Sequence, residues 1–211
     1  MRREAIKDAR LLLVTDPRPD LVARVAAAVR GGVDVVQLRE KNRSGKELVG
    51  LAEELREVCA GEAGEAVGAL FTVNDDVELA RHVGADGVHL GQEDETPARA
   101  REILGPEALI GRSAGTVEEA LGAVREGADY VGVGTVFATP TKPDAEVTGL
   151  ALVEAVAREN LPVPWFAIGG ITLETGPEVA AAGAPGFAVV RAILDADDPE
   201  AAARELRALL E

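Results

Sequence analysis

One pattern limits the fold of this chain more than any other: short apolar runs alternate with amphipathic helical stretches from end to end. Eight such pairs fit within 211 residues. β-type runs that alternate with helices predict parallel strands joined by crossover helices. Eight pairs favour an α/β fold of the (β/α)₈ (TIM) barrel type over an open sheet. We expect residues 1–211 to form one such domain, because eight pairs leave no room for a second.

The bounds of the predicted elements follow from where each apolar pattern begins and ends. Strands are predicted at 11–14, 33–38, 71–73, 87–90, 109–111, 130–133, 164–168 and 187–190. Helices are predicted at 21–29, 44–59, 77–83, 97–104, from 116, and at 150–159, 174–182 and 199–210. Ser44 and Thr116 each begin a helix and have a Glu three residues later, which is typical of a capping box. Segments 31–34, 84–87 and 127–130 each end a helix with Gly before a buried strand.

Composition narrows the function classes. The net charge is −15, and 47% of the residues are hydrophobic, enough to build a sizeable core. A surface this negative repels nucleic-acid backbones and anionic membranes, so neither is expected as a partner. An anion-binding site on this chain therefore needs local cations, a metal ion or backbone N–H groups.

The chain carries one cysteine, Cys59, within a helical pattern. It cannot form an internal disulfide, and a small buried apolar role is favoured over that of a nucleophile. The N-terminus lacks the apolar core of a signal peptide, and no run of about 18 apolar residues predicts a transmembrane helix. We therefore expect a cytoplasmic location. The oligomeric state stays open, with a homodimer as one option.

A row of polar residues ends the second predicted strand. In barrels of this type the active site lies at the carboxyl ends of the strands. Gln37, Arg39 and Lys41 share one side of an extended chain, because side chains alternate along a strand. Arg binds phosphate oxygens in a bidentate manner and Lys acts as a point charge, so the row suits a pyrophosphate. An ordinary solvated strand end is the alternative.

Oxygen and amide ligands follow the next two strands. Asn74 and Asp75 come after the third strand, and Asp94 comes after the fourth. Carboxylates on neighbouring strand ends suit Mg²⁺, with water and substrate phosphate completing its coordination. Asp75 and Asp94 are therefore the candidate metal ligands, and Asn74 offers an N–H to a phosphate oxygen. The alternative is that these residues cap the helices that follow.

Hydroxyl groups follow the fifth and sixth strands. Ser113, predicted to lie at a helix start, offers its hydroxyl and nearby backbone N–H groups to phosphate. The long loop 135–148 carries Thr139, Thr141 and Lys142, which suit closure over an anion. A proline-rich surface turn is the alternative for this loop.

The last two strands end in a second candidate phosphate site. Gly170 and the glycine before it allow a close approach of the backbone to phosphate, beside Val190 and Arg191. His82 and His89 have no partner at metal-ligand spacing, so we expect each to be partly buried and hydrogen bonded.

Five segments that contain these residues resemble thiamine-phosphate synthases. They are 36–41, 73–75, 85–94, 139–145 and 167–171, and the string from Gly87 to Asp94 is the most specific. Members of that family join 4-amino-2-methyl-5-pyrimidinylmethyl diphosphate to 4-methyl-5-(2-phosphoethyl)thiazole, and release pyrophosphate. The resemblance, collinear over roughly residues 11–194, implies a Mg²⁺-dependent transferase acting on small-molecule substrates.

The resemblance also implies a role for each site residue. The pyrimidine diphosphate would be held by Gln37, Arg39, Lys41, Asn74, Ser113 and Lys142, of which Arg39, Lys41, Ser113 and Lys142 would act in catalysis. Mg²⁺ would be bound by Asp75 and Asp94. The thiazole phosphate would be bound by Thr139, Thr141 and Gly170, with the backbone at Val190 and Arg191.

Three residues depart from the pattern of the family. Asp76, Gly115 and Arg191 stand where the family usually has Arg, His and Ser. Asp76 is expected to add negative charge near the diphosphate, and Arg191 to strengthen the thiazole-phosphate site. Two alternatives stay open: a thiazole tautomerase of the same barrel family, and a non-catalytic thiamine-phosphate-binding protein. The retained metal pair and Lys142 favour the synthase, because a tautomerase has no diphosphate to ionise.

Overall fold

Eight parallel strands form a closed barrel in chain order, which confirms the predicted fold class. The computed structural model describes residues 2–61, 68–142, 144 and 146–211. The strands are β1 Leu11–Val14, β2 Val35–Leu38, β3 Leu70–Asn74, β4 Gly87–Leu90, β5 Leu109–Ala114, β6 Tyr130–Val133, β7 Trp165–Ile168 and β8 Phe187–Val189. Pairing of β1 with β8 closes the barrel, with Leu12 in register with Ala188.

Helices follow the strands around the outside of the barrel. They are α1 Arg2–Ala5, α2 Leu21–Arg30, α3 Gly45–Ala60, α4 Val77–Val83, α5 Pro97–Leu104, α6 Val117–Arg125, α7 Gly149–Glu159, α8 Gly176–Ala181, α9 Arg191–Leu194 and α10 Pro199–Ala208. The sequence analysis missed α1, α9 and the 3₁₀ turn Ile6–Asp8, which are too short to show a periodic apolar pattern. Within the described residues, no helix is both long and apolar enough to cross a bilayer.

The two capping predictions had different outcomes. Thr116 Oγ1 accepts the N–H of Glu119 at 3.1 Å, so that cap is confirmed. Ser44 precedes α3 as predicted, but its side chain makes no capping hydrogen bond. That part of the prediction is wrong, and Ser44 is exposed, so water can serve the first N–H groups of α3 instead.

Side chains alternate between the barrel interior and the layer between strands and helices. Leu12 and Val14 point into the barrel, where they pack with Tyr130 and Phe166, whereas Leu11 and its partners pack against the helices. Ile6 packs with the interior cluster and is 1% exposed, so the N-terminal segment closes the amino end of the barrel. Cys59 is buried, as predicted, and burial raises the pKa of its thiol to about 12.

The aspartates in the repeated segments before strands join neighbouring strands at the amino end of the barrel. Asp34 Oδ2 accepts the N–H groups of Arg10 at 2.7 Å and Leu11 at 2.9 Å, and pairs with Arg207 at 2.6 Å. These carboxylates therefore satisfy backbone groups that the strand ladder leaves open.

Asp86 and Asp129 repeat this arrangement further round the barrel. They accept the N–H groups of Phe71 and Ile110, at 2.8 Å each, and both also pair with arginines. The sequence analysis recognised only the glycines of these segments; the aspartates hold the strands in register.

Candidate active site

A cavity of about 1020 Å³ opens at the carboxyl end of the barrel and reaches down to Leu12, Tyr130 and Phe166 in the interior. Every residue that the sequence analysis selected for the site lines this cavity: Gln37, Arg39, Lys41, Asn74, Asp75, Asp94, Ser113, Thr139, Thr141, Lys142, Gly170, Val190 and Arg191. Residues that are far apart in the sequence thus meet around one space.

A buried threonine fixes the polar row at the end of β2. Thr15 Oγ1 accepts the N–H of Arg39 at 2.9 Å and lies 3.2 Å from the Arg39 carbonyl oxygen, to which it donates. Gln37 is buried below Arg39, and Lys41 is exposed above it. Sequence reasoning missed Thr15, although a hydroxyl directly after an apolar strand was a usable signal.

Three cations of the cavity lack the carboxylate partners that most arginines of this acidic chain have. Most arginines pair with an Asp or Glu. Within the part of the chain that the structure describes, no ion pair involves Arg39, Lys41 or Lys142. Three positive groups therefore face one cavity without a carboxylate partner, which is the arrangement that an anionic ligand requires.

Backbone geometry directs Asp75 into the cavity. Its φ of 63° is left-handed, which is uncommon for a residue other than glycine, and its N–H donates to the His89 carbonyl at 2.8 Å. The next residue, Asp76, caps α4 by accepting the N–H of Leu79 at 2.8 Å. The two roles considered from the sequence therefore belong to different residues. Asp76 is the helix cap, and Asp75 is free to face the cavity.

Asp94 lies on a loop that a buried arginine supports. Its Oδ2 accepts the N–H of Gly91 at 2.6 Å, which bends the loop after β4. Arg112 is 6% exposed and donates to the carbonyls of Glu95 at 3.1 Å and Gln92 at 3.4 Å. Arg112 was not among the predicted site residues, because its partners are carbonyl groups 17 and 20 residues away in the sequence, which no motif reveals.

The two cavity carboxylates interact directly. Burial, followed by the hydrogen bond and the charge of Asp94, raises the pKa of Asp75 to about 6, against the opposing charge of Arg39. Two like charges at one place are costly unless a proton or a cation balances them. Among the described residues, no group of three or more His, Cys, Asp or Glu side chains is placed to hold a metal ion.

Ser113 belongs to β5 rather than to a helix start, because that strand continues to Ala114 and α6 begins only at Val117. The prediction of free helical N–H groups beside Ser113 is therefore wrong. Its hydroxyl oxygen lies 3.0 Å from Nε2 of His89. His89 is buried, whereas His82 is exposed, so the expectation of partial burial is wrong for both.

Hydrogen bonds close the base of the long loop after β6. Thr148 donates to the Thr135 carbonyl from its N–H at 2.7 Å and from its hydroxyl at 3.0 Å. Between these ends, Thr139 Oγ1 accepts the N–H of Thr141 at 3.3 Å. Positions 143 and 145 of the family-like segment lie outside the described residues.

The glycines after β7 allow close packing of that loop. Gly170 has a φ of 63°, and a Cβ there would lie 2.7 Å from Cβ of Phe137, so only glycine fits. Gly115, in contrast, has room for a side chain, since the nearest atom to its Cβ would be 3.5 Å away.

Arg191, on the far side of the cavity, is part of a network of ion pairs. Its Nε pairs with Asp195 at 2.6 Å, and Asp195 pairs with Arg18 at 3.0 Å. The positive charge that the sequence analysis expected of Arg191 is thus partly balanced.

Fold and site together define a class: a parallel (β/α)₈ barrel whose carboxyl end gathers unpaired cations and a carboxylate pair, typical of barrels that act on phosphorylated ligands. Residues 11–193 match the sequence profile of the family described as thiamine monophosphate synthase, and the chain belongs to this family.

Individual relatives agree with that assignment. The chain is 48% identical over 210 residues to a thiamine-phosphate synthase of Synechococcus sp. (strain CC9311), covering 97% of this chain and 58% of that protein. It is 47% identical to one of Mycobacterium sp. (strain KMS), covering 96% of this chain and 93% of that one. The solved thiamine phosphate pyrophosphorylase of Pyrococcus furiosus superposes with a TM-score of 0.85 at 38% identity, covering 97% and 96%. The chain spans less than two thirds of the length of the Synechococcus relative and of a second relative from Synechocystis sp..

Proposed function

We propose that this protein is a thiamine-phosphate synthase, which couples the pyrimidine-methyl diphosphate to the thiazole phosphate and releases pyrophosphate. The observation that carries the proposal is the meeting of three unpaired cations and the Asp75–Asp94 pair around one cavity. Small-molecule substrates, a cytoplasmic location and one barrel domain over residues 1–211 are part of the same proposal.

Mg²⁺ fits the donor set beside the cations. The two carboxylates come from neighbouring strand ends, and the raised pKa of Asp75 indicates a place where added positive charge is favourable. Mg²⁺ is usually bound through one or two carboxylates with substrate phosphate and water, so Asp75 and Asp94 would hold it. When bound, the ion would neutralise negative charge on the diphosphate.

The protein groups around the diphosphate would favour departure of pyrophosphate. The methylene–oxygen bond breaks and the oxygen keeps the electron pair, so negative charge grows on the leaving group. Arg39, Lys41 and Lys142 would stabilise that charge. Because Thr15 fixes the backbone of Arg39 on both sides, the point from which this side chain enters the cavity is set before the substrate arrives.

The second substrate would occupy the opposite side of the cavity. Thr139, Thr141 and the backbone near Gly170 and Arg191 would bind its monophosphate. The thiazole nitrogen then attacks the pyrimidine methylene carbon and forms the new carbon–nitrogen bond. The apolar floor at Leu12 and Phe166 would keep water from that carbon, so positioning supplies much of the remaining rate.

A coupled assay tests this function. Both substrates are mixed with the protein and Mg²⁺, and thiamine phosphate and pyrophosphate are quantified by chromatography. We expect equal amounts of both products, with at least a 100-fold loss in the R39A variant, since a lost transition-state contact costs about that much. R43A removes a cation of the same loop that is not among the described residues lining the cavity, and serves as the matched control.

Absence of thiamine phosphate would reject the synthase. Isomerisation of the thiazole without coupling would then indicate the tautomerase, and binding of thiamine phosphate without turnover would indicate the non-catalytic protein.

A further inference from the structure

His89 lies inside the barrel in a space that two glycines provide. A Cβ on Gly111 of β5 would collide with Nδ1 of His89 and with the Tyr130 hydroxyl. A Cβ on Gly132 of β6 would lie 3.3 Å from Cε1 of His89. On its other edge, Nε2 is 3.0 Å from Oγ of Ser113, a cavity residue. The imidazole therefore connects the barrel interior to the candidate active site.

Two buried polar atoms beside Gly111 have no hydrogen-bond partner within the described residues: Nδ1 of His89 and the Tyr130 hydroxyl. The two rings are neighbours, with their centroids 5.4 Å apart. Both atoms border the same point, the place of the missing Cβ, so the phenol lies beside Nδ1, with Thr72 and Gln37 as its other polar neighbours. Burial raises the pKa of Tyr130 above its usual range, so the phenol keeps its proton.

A neutral imidazole carries one proton, on either Nδ1 or Nε2, and thus has two tautomers. His89 is only 7% exposed, and its ring contacts Ser113 and Tyr130 rather than a carboxylate, so the neutral form of the imidazole is favoured. A proton on Nδ1 would leave a buried N–H without a partner, and orphaned donors are rarer in proteins than orphaned acceptors. A proton on Nε2 makes Nδ1 an acceptor that faces the phenol, and makes Nε2 a donor to Ser113.

We propose that His89 is held as its Nε2-protonated tautomer and is a positioning residue for Ser113. Because Ser113 Oγ accepts from His89, its own hydroxyl proton is free to point into the cavity and to donate to an anionic oxygen. In the other tautomer, Ser113 would donate to His89 and present a lone pair to the anion. Only the identity of that anion, the diphosphate, rests on the proposed function.

Nitrogen-15 NMR of histidine-labelled protein tests the tautomer without any substrate. The chain has two histidines, so the H82Q variant leaves a single imidazole to observe. We expect a pyrrole-type resonance for Nε2 and a pyridine-type resonance for Nδ1 of His89. The reverse assignment, or an equal mixture, would overturn the proposal even if the protein proved to be an active synthase.

The Y130F change tests the other end of the chain of hydrogen bonds, since it removes the phenol and keeps the ring. We expect the Nδ1 resonance of His89 to move away from its value in the parent H82Q protein. An unchanged resonance would remove Tyr130 from the proposal.

Two amide variants test the effect on the site. The Gln amide in H89Q reaches the position of Nε2 and can donate to Ser113, whereas the shorter amide in H89N reaches only that of Nδ1. We expect H89N to raise the KM for the pyrimidine diphosphate about tenfold, the worth of one hydrogen bond to a charged group, and H89Q to restore most of it. Equal KM values in the two variants, with both shown to be folded by circular dichroism, would contradict a positioning role.

Discussion

The two ends of this barrel use the same residue type for opposite purposes. At the amino end, Asp34, Asp86 and Asp129 are saturated by backbone N–H groups and arginines. At the carboxyl end, Asp75 and Asp94 face each other, and the pKa of Asp75 is raised. Saturated carboxylates stabilise the fold, whereas unsaturated ones remain available to a ligand. Changes at the amino end should therefore affect stability, and changes at the carboxyl end should affect activity.

The largest expected effect is on stability at the amino end. D34A removes the acceptor of two backbone N–H groups and the partner of Arg207, so we expect a loss of about 3 kcal/mol in the free energy of unfolding. Urea unfolding measures this loss. D20A, which breaks an exposed pair with Arg24, is the control and should cost less than about 1 kcal/mol. Equal losses in the two variants would remove the distinction between the ends.

At the carboxyl end, the effect should be on turnover. D94A removes one proposed metal ligand, and we expect at least a 100-fold lower kcat/KM at limiting Mg²⁺, about 2.7 kcal/mol. Its melting temperature should stay near that of the wild type, because the lost hydrogen bond to the Gly91 N–H is offset by the lost repulsion of Asp75. An unchanged Mg²⁺ dependence would contradict the assignment of Asp94.

The buried His89, between the two ends of the barrel, should make the free energy of unfolding depend on pH. Its pKa of about 4 in the folded protein lies below the ordinary 6.5, under the influence of burial, with Asp94 and Arg112 as its charged neighbours. Between pH 4 and pH 6.5 the unfolded chain therefore binds more protons at His89 than the folded protein does. The stability that comes from burying the neutral ring is present above pH 6.5 and is lost as the pH falls to about 4.

We expect the wild type to lose on the order of 2 kcal/mol more than H89Q between pH 7 and pH 4. Denaturant unfolding at several pH values measures the difference. H82Q, at an exposed histidine, should follow the wild type, and an H89Q curve parallel to the wild type would contradict the neutral buried ring.

The smallest effect should come from Arg191, which is half exposed and shares its charge with Asp195. R191S restores the residue usual in the family, and we expect about a threefold higher KM for the thiazole phosphate, screened by salt. R204S, at an exposed ion pair on α10, should leave this KM unchanged. A KM for R191S that equals the wild-type value at low ionic strength would show that Arg191 does not reach the phosphate.

Local patterns were enough to predict the barrel and to select residues that line one cavity. Apolar periodicity marked every strand, and the alternation along β2 put Gln37, Arg39 and Lys41 on one side. Interactions between distant segments were not predictable in this way. Asp34 bonds to β1 and Arg207, and Thr15 bonds to Arg39, and these contacts exist only once the sheet has closed.

Choices between neighbouring, chemically equal residues also required the structure. The sequence offers Asp75 and Asp76 side by side, and only the left-handed backbone at Asp75 decides that Asp76 is the cap. Strand β5 extends three residues further than predicted, so Ser113 lies in the strand rather than at a helix start. In this position the partner of its hydroxyl is His89.

Isothermal titration calorimetry with pyrophosphate tests most directly whether the carboxyl end is a metal–diphosphate site. Titration of the wild type in the presence of Mg²⁺ should show saturable binding, which D94A and R39A lose and D34A, at a temperature where it is folded, retains. Binding that is equally strong without Mg²⁺, or that survives in both D94A and R39A, would contradict the assignment of this end of the barrel.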